Sequence, residues 1–276
     1  MKKLLKADLY SIFVSKMLVI LLISAVLVGF FLPALFFGIF KFVGNLGNLM
    51  GDIEVEELKP LLESMDSVFD MLNARSVFMM TAPLAEGFGI IAMACAAYTT
   101  ANQFSSGIIR NKIIANKKRP QIVISIMIST VLFTIMIMFI NYVSTALAAR
   151  LFFGKFDLDF KGFAYIFAVC LMIVIAYTAI NVTIAFFAKS VPLSIIMSIL
   201  LIIATGTIFS LLVTFMSKAP KSILNIMTVF PTFQSSLLMN ENQPVSFLVL
   251  SIVFDLAWLV IMTLISCLKF KKSDLK

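Results

Sequence analysis

"MLVILLISAVLVGFFLPALFFGIF", residues 17–40, carries no charge between Lys16 and Lys41. An α-helix rises about 1.5 Å per residue, so about 20 apolar residues cross a hydrocarbon core roughly 30 Å thick. The stretch is therefore expected to be a membrane span. Uncharged runs of similar length recur at 120–149, 162–188 and 191–217, and two more, 77–101 and 245–268, each hold one acid, Glu86 and Asp255. Six spans follow, and they are expected to be helical, because barrel strands would be alternating segments of about ten residues.

Composition agrees. Of 276 residues, 61% are hydrophobic and 13% charged, against roughly 45–50% and 25% in soluble domains. The fold class is an all-α integral membrane protein, with residues 1–276 forming a single transmembrane domain. The leading segment "MKKLLKADLYSIFVSK", 1–16, has the charge of a signal peptide, but the apolar run after it exceeds the 7–15 residues of a cleavable core. It reads instead as an interfacial elbow helix, with Leu5, Leu9, Ile12 and Phe13 at helical spacing and Lys2, Lys3, Lys6 and Lys16 available to lipid head groups.

Orientation follows from Lys and Arg. With the N-terminus inside, fourteen of the 22 cations fall on inner segments, among them Arg110, Lys112, Lys117, Lys118 and Arg119 and the C-terminal Lys269, Lys271, Lys272 and Lys276. Both termini are then cytoplasmic, in a cytoplasmic cell membrane. The net charge of +8 is explained by basic inner loops, and nucleic acid is not an expected partner. The outer loop 41–75 is expected to break at Gly44, Gly47 and Gly51 and then to form a short amphipathic helix through Leu58, Leu61, Leu62, Met65, Val68, Phe69 and Leu72. The stretch 217–246, interrupted by Pro231, reads as outer re-entrant or interfacial helices between spans five and six.

Much chemistry is excluded by what the sequence lacks. There is no His, so His-based triads and His-ligated metal sites are ruled out. No Gly-x-x-x-x-Gly-Lys-Ser/Thr loop is present, so the chain has no P-loop ATPase site of its own. Cys95, Cys170 and Cys267 all fall in expected spans, which leaves no loop disulfide framework. No catalytic residue, metal or bound cofactor is expected. Polar groups that would line a path through the membrane are Glu86, Thr100 and Asn102 of span two and Asp255 of span six.

One inner segment is more informative than its charge. In "QFSSGIIRNKIIANKKRP", 103–120, Ser105 or Ser106 suits a helix N-cap, Gly107 loosens the join to span two, Ile109 and Ile113 share a face, and Arg110 and Lys112 point elsewhere. Phe104, Ser105, Gly107, Ile109, Arg110 and Asn111 resemble the Phe-Ser-x-Gly-Thr-Ile-Arg-Asn run after the second span in permeases of the type-two ATP-binding-cassette exporter family. Gln103 stands where that family commonly has an acid, and Ile108 where it has Thr.

The resemblance implies a coupling helix, spanning Phe104, Ser105, Gly107, Ile109, Arg110, Asn111, Lys112 and Ile113, that docks on a separate cytoplasmic ATPase subunit. ATP and Mg would be bound by that partner. Two permease copies, identical or paralogous, would then form an export path for a hydrophobic or amphipathic substrate: a peptide, antimicrobial peptide, lipid or drug. The alternative is a stand-alone secondary transporter or channel, for which an intramembrane charge network or an inverted repeat is expected. If Arg110 and Lys112 both face the partner, reversing them to Glu weakens ATPase association and leaves membrane insertion intact.

Overall fold

Backbone polar groups cannot face hydrocarbon unpaired, so each apolar run must close its hydrogen bonds within itself as a helix. A computed structural model of the chain describes residues 1–50, 74, 77–78, 88–115, 117–154, 160–216, 229–231, 234 and 245–272. Among these residues eight helices follow in chain order: α1 (Lys2–Phe13), α2 (Lys16–Met50), α3 (Phe88–Ser105), α4 (Ile108–Ile114), α5 (Arg119–Phe153), α6 (Phe160–Ala188), α7 (Val191–Met216) and α8 (Val245–Lys272). No strand occurs among them. Helices α2, α5, α6, α7 and α8 are long and apolar enough to cross a membrane, so this is an all-helical, multi-pass membrane protein.

Helix α3 is not one of those five. Its described part covers 18 residues and ends in the polar "YTTANQ". Of the expected second span, residues 79–87 lie outside the described residues, Glu86 among them. So do residues 51–73, which hold most of the expected outer amphipathic helix. Helix α2 departs from expectation. It passes Phe40, where the span was to end, and continues through Gly44 and Gly47 to Met50. A helical Gly costs only about 1 kcal/mol relative to Ala, which weakens a helix without ending it.

Helices α5 and α6 form the centre of the bundle. Helix α3 packs on both and on α7, α2 lies along α5, and α8 lies along α6 and α5. One core cluster joins Ala92, Met93, Ile137, Tyr142, Ile173 and Tyr177, and a second, toward the end where α1 and α4 sit, joins Leu4, Ile109, Ile122, Ile126, Phe186 and Phe270. The outward faces of α2, α7 and α8 are lined by side chains such as Ile23, Phe31, Leu200, Ile203, Val260 and Leu264, as a lipid-facing surface requires.

Since lipid is as apolar as Leu, helices are held to one another by close packing and by polar contacts. Asn141 Nδ2 on α5 donates to Ala25 O at 2.9 Å, and Ser144 Oγ donates to Val26 O at 3.0 Å. Gly29 makes room for this contact: a Cβ there would stand 2.8 Å from Asn141 O and 3.0 Å from Ser144 Cβ. Between α6 and α8, Thr183 Oγ1 donates to Met262 O at 3.2 Å and receives Ser266 Oγ at 2.9 Å.

Gly29→Ala is therefore expected to lower stability by about 1–3 kcal/mol, the usual cost of overpacking. Gly38→Ala, on the same helix with nothing within 4 Å of its Cβ, is expected to be neutral or slightly stabilising. Thermal denaturation of the two variants in one detergent makes the comparison.

Candidate functional site

The amphipathic segment sits at one end of the bundle, where α3 stops and the chain turns back into α5. At the end of α3 the Asn102 carbonyl takes the Ser106 N–H at 2.9 Å and two serine hydroxyls. Ser106 Oγ donates to Asn102 O at 2.6 Å and Ser105 Oγ to the same carbonyl at 3.2 Å. Neither serine caps α4, as the sequence suggested. Both hydroxyls instead bond back three or four residues to α3, the local alternative open to a serine at a helix end. Gly107 occupies the N-cap position with φ +72°, a left-handed conformation that turns the chain between the two helices at little cost only for glycine.

Beyond this turn, α4 lays one face on the bundle. Ile109 is 1% exposed among Leu4, Ile122, Ile126 and Phe270, and Ile113 packs beside it. Phe104 meets Phe186 edge to face at 5.2 Å and Phe270 at 6.2 Å, which gathers the ends of α3, α6 and α8. Arg119 closes the same end by donating to Phe270 O at 3.1 Å and Lys271 O at 2.9 Å, the last carbonyls of α8. The expected apolar face, Ile109 and Ile113, is thus occupied by the chain's own core.

Lys112 also turns inward. It forms an ion pair with Asp8 of α1 and donates to Gln103 Oε1 at 2.7 Å, while Ser125 Oγ of α5 donates to the other Asp8 oxygen at 2.6 Å. The expectation that Lys112 joins Arg110 on the outward face is corrected. Its ammonium is the one that an acid can reach on the buried side. Charge cannot be desolvated alone, and removing one member of a buried pair costs about 3–5 kcal/mol. Helix α1 is rotated relative to the sequence expectation for the same reason. It buries Leu4, Asp8 and Ile12, while Phe13 is exposed and Leu5 and Leu9 only half-buried.

What α4 presents outward is Arg110, Asn111 and Ile114, the last 75% exposed, followed by Lys117 and Lys118. Together with Lys2, Lys3 and Lys6 of α1 and Lys269, Lys271 and Lys272 of α8, they make this end strongly basic. An exposed Ile beside an Arg can enter an apolar pocket with an acidic rim. Sequence periodicity passed over Ile114 because Ile113 precedes it, and it passed over Asp8. The signal for Asp8 was present: it is the first acid of the chain, none other occurs before Asp52, and it lies four residues from both Leu4 and Ile12.

The expected path residues are not gathered into one site. Thr100 is fully buried in α3, and its hydroxyl has no hydrogen-bond partner. The main-chain carbonyl of Asn102 accepts the hydroxyls of Ser105 and Ser106. Asp255 lies midway along α8, fully buried, with Gln234 Nε2 donating to Oδ1 at 3.2 Å and Oδ2 without a hydrogen-bond partner. Near it, Val229 meets α8, where Trp258 Nε1 donates to its carbonyl oxygen at 2.8 Å. Of the expected outer stretch 217–246, residues 229–231 and 234 are described, 245 and 246 belong to α8, and the rest lies outside the described residues. Among the described residues, no group of three or more His, Cys, Asp or Glu side chains is placed to hold a metal ion.

Residues 63–276 match the sequence model of a family described as protein of unknown function (DUF2705). No curated protein matches the chain.

Because a Cβ at Gly107 would meet nothing within 4 Å, the cost of replacing it is conformational. Gly107→Ala is expected to lose about 1–2 kcal/mol, the left-handed penalty, whereas Gly107→Asn keeps most of the stability. Melting temperatures of the pair in detergent distinguish this from a steric effect, which would rank Asn below Ala.

Proposed function

The chain belongs to the DUF2705 family, and from its own residues we propose that it is the permease subunit of an ATP-binding-cassette exporter. Cytoplasmic ATPase subunits would dock on α4 and drive it. The single observation that carries this reading is the outward face of α4: Arg110, Asn111 and Ile114 on a short helix hinged at Gly107. It is supported by the resemblance of Phe104, Ser105, Gly107, Ile109, Arg110 and Asn111 to the coupling segment of type-two exporters. Within the segment the roles divide. Phe104, Ile109, Lys112 and Ile113 seat the helix on its own bundle, Ser105 and Gly107 form the joint, and Arg110, Asn111 and Ile114 meet the partner.

In this proposal six spans place both termini and the basic end in the cytoplasm of a cell membrane, consistent with the bias of Lys and Arg. ATP and Mg belong to the ATPase, and a second permease copy completes the path. Thr100 and Asp255 are fully buried here, Asp255 against Gln234, so they would line a path only when α3 and α8 shift, which alternation driven by ATP hydrolysis would supply. The substrate class is hydrophobic or amphipathic, because an apolar path with few charges suits such cargo.

The test uses the full chain purified from its native membrane and reconstituted in proteoliposomes. An ATPase subunit is expected to co-purify. Arg110→Glu and Ile114→Ser are each expected to weaken that association about tenfold, the scale of a contact residue near an interface centre, with melting temperature unchanged. If the chain alone moves a lipophilic cationic dye across the bilayer without ATP, it is a stand-alone transporter or channel and the permease proposal fails.

A further inference from the structure

We infer that Asp8 is a positioning residue: its buried pair with Lys112 locks α1 to α4 and fixes the orientation in which α4 shows Arg110, Asn111 and Ile114 outward. The consequence for docking rests on the function proposed above; the lock itself does not.

Helix α4 has seven residues, too few to hold its own shape in water or at an interface. It also hangs from a left-handed glycine that no neighbour crowds. Its orientation must therefore come from tertiary contacts. Ile109 and Ile113 supply apolar contacts on one face, but such contacts are non-directional and leave a short helix free to rock about them. Packing against α1 does not remove that freedom, since a cavity of about 340 Å³ lies between the two helices, lined among others by Leu4, Ala7, Ser11, Asn111 and Ala115. Asp8 and Lys112 form the floor of this cavity and bridge it.

The bridge is specific. Asp8 is 4% exposed, between buried Leu4 and Ile12, and Asp8 and Asp255 are the only acids among the described residues. Amid the lysines and arginines of this end, Asp8 pairs with the cation that α4 turns inward. Gln103 of α3 and Ser125 of α5 complete the contact, so four helices meet at one charged point. Each partner can act in either sense. The Gln103 amide has N–H groups as well as an oxygen, and the Ser125 hydroxyl can accept as well as donate. A pair of reversed polarity therefore keeps its hydrogen bonds.

The experiment reads the orientation of α4 directly. In the full chain, with Cys95, Cys170 and Cys267 replaced by Ala, Ala7→Cys and Ala115→Cys place one thiol on each wall of the cavity, and a short bifunctional maleimide links them in native membranes. Asp8→Asn and Lys112→Met are each expected to reduce linking at least threefold. The reversed pair, Asp8→Lys with Lys112→Asp, is expected to recover more than half of it. Single variants that link like the parent, or a reversed pair that links no better than the singles, overturn the inference. Should a single variant fail to reach the membrane, recovery of both membrane level and linking by the reversed pair supports the lock, and its failure overturns it. If no ATPase associates with the parent chain, the proposed function fails while the linking comparison still decides the role of Asp8.

Discussion

Everything in this molecule is arranged around the cost of a polar group in hydrocarbon. Main-chain groups meet that cost by forming helices, which is why long uncharged runs become α2, α5, α6, α7 and α8. Side-chain groups within the spans meet it by bonding to a carbonyl of their own helix, as Thr134 and Thr178 do, or of a neighbour, as Asn141 and Ser144 do. The second kind is what joins helices. Apolar side chains gain little by leaving lipid for one another, so Gly29 and the two polar residues opposite it specify where α2 lies on α5.

At the basic end the same constraint acts on full charges. Lys112 cannot be buried without an acid, and α1 supplies Asp8. Arg119 satisfies the terminal carbonyls of α8 and lies over the Phe270 ring at 5.9 Å. Around these contacts Phe104, Phe186 and Phe270 meet edge to face, the favoured geometry for ring quadrupoles. The result is a packed end of the bundle on which α4 lays its inner face.

Asp255 shows the opposite arrangement. Gln234 gives it one hydrogen bond and leaves Oδ2 without another, at a depth where an acid is expensive. Beside it, Val229 and Phe230 are held to α8 by Trp258. The acid faces protein, being fully buried. Which protein group it would face was not predictable, because Gln234 lies 21 residues away across an irregular stretch.

The helical spans were legible in the sequence alone, since length and lack of charge decide them residue by residue and need no partner. The joint at Gly107 was legible for a related reason: a glycine before a short amphipathic run is a local signal. Tertiary structure decided which face of each short helix is buried. The apolar periodicity of α1 pointed to Leu5, Leu9, Ile12 and Phe13; of these Ile12 is buried, together with Leu4 and Asp8, while Leu5 and Leu9 are half-buried and Phe13 is exposed, which sets Asp8 against Lys112. The same pair removed Lys112 from the outward surface and left Arg110 and Ile114 there. A contact between residues 8 and 112 has no signature in either segment by itself; it exists only once the fold brings the two ends of the charge together.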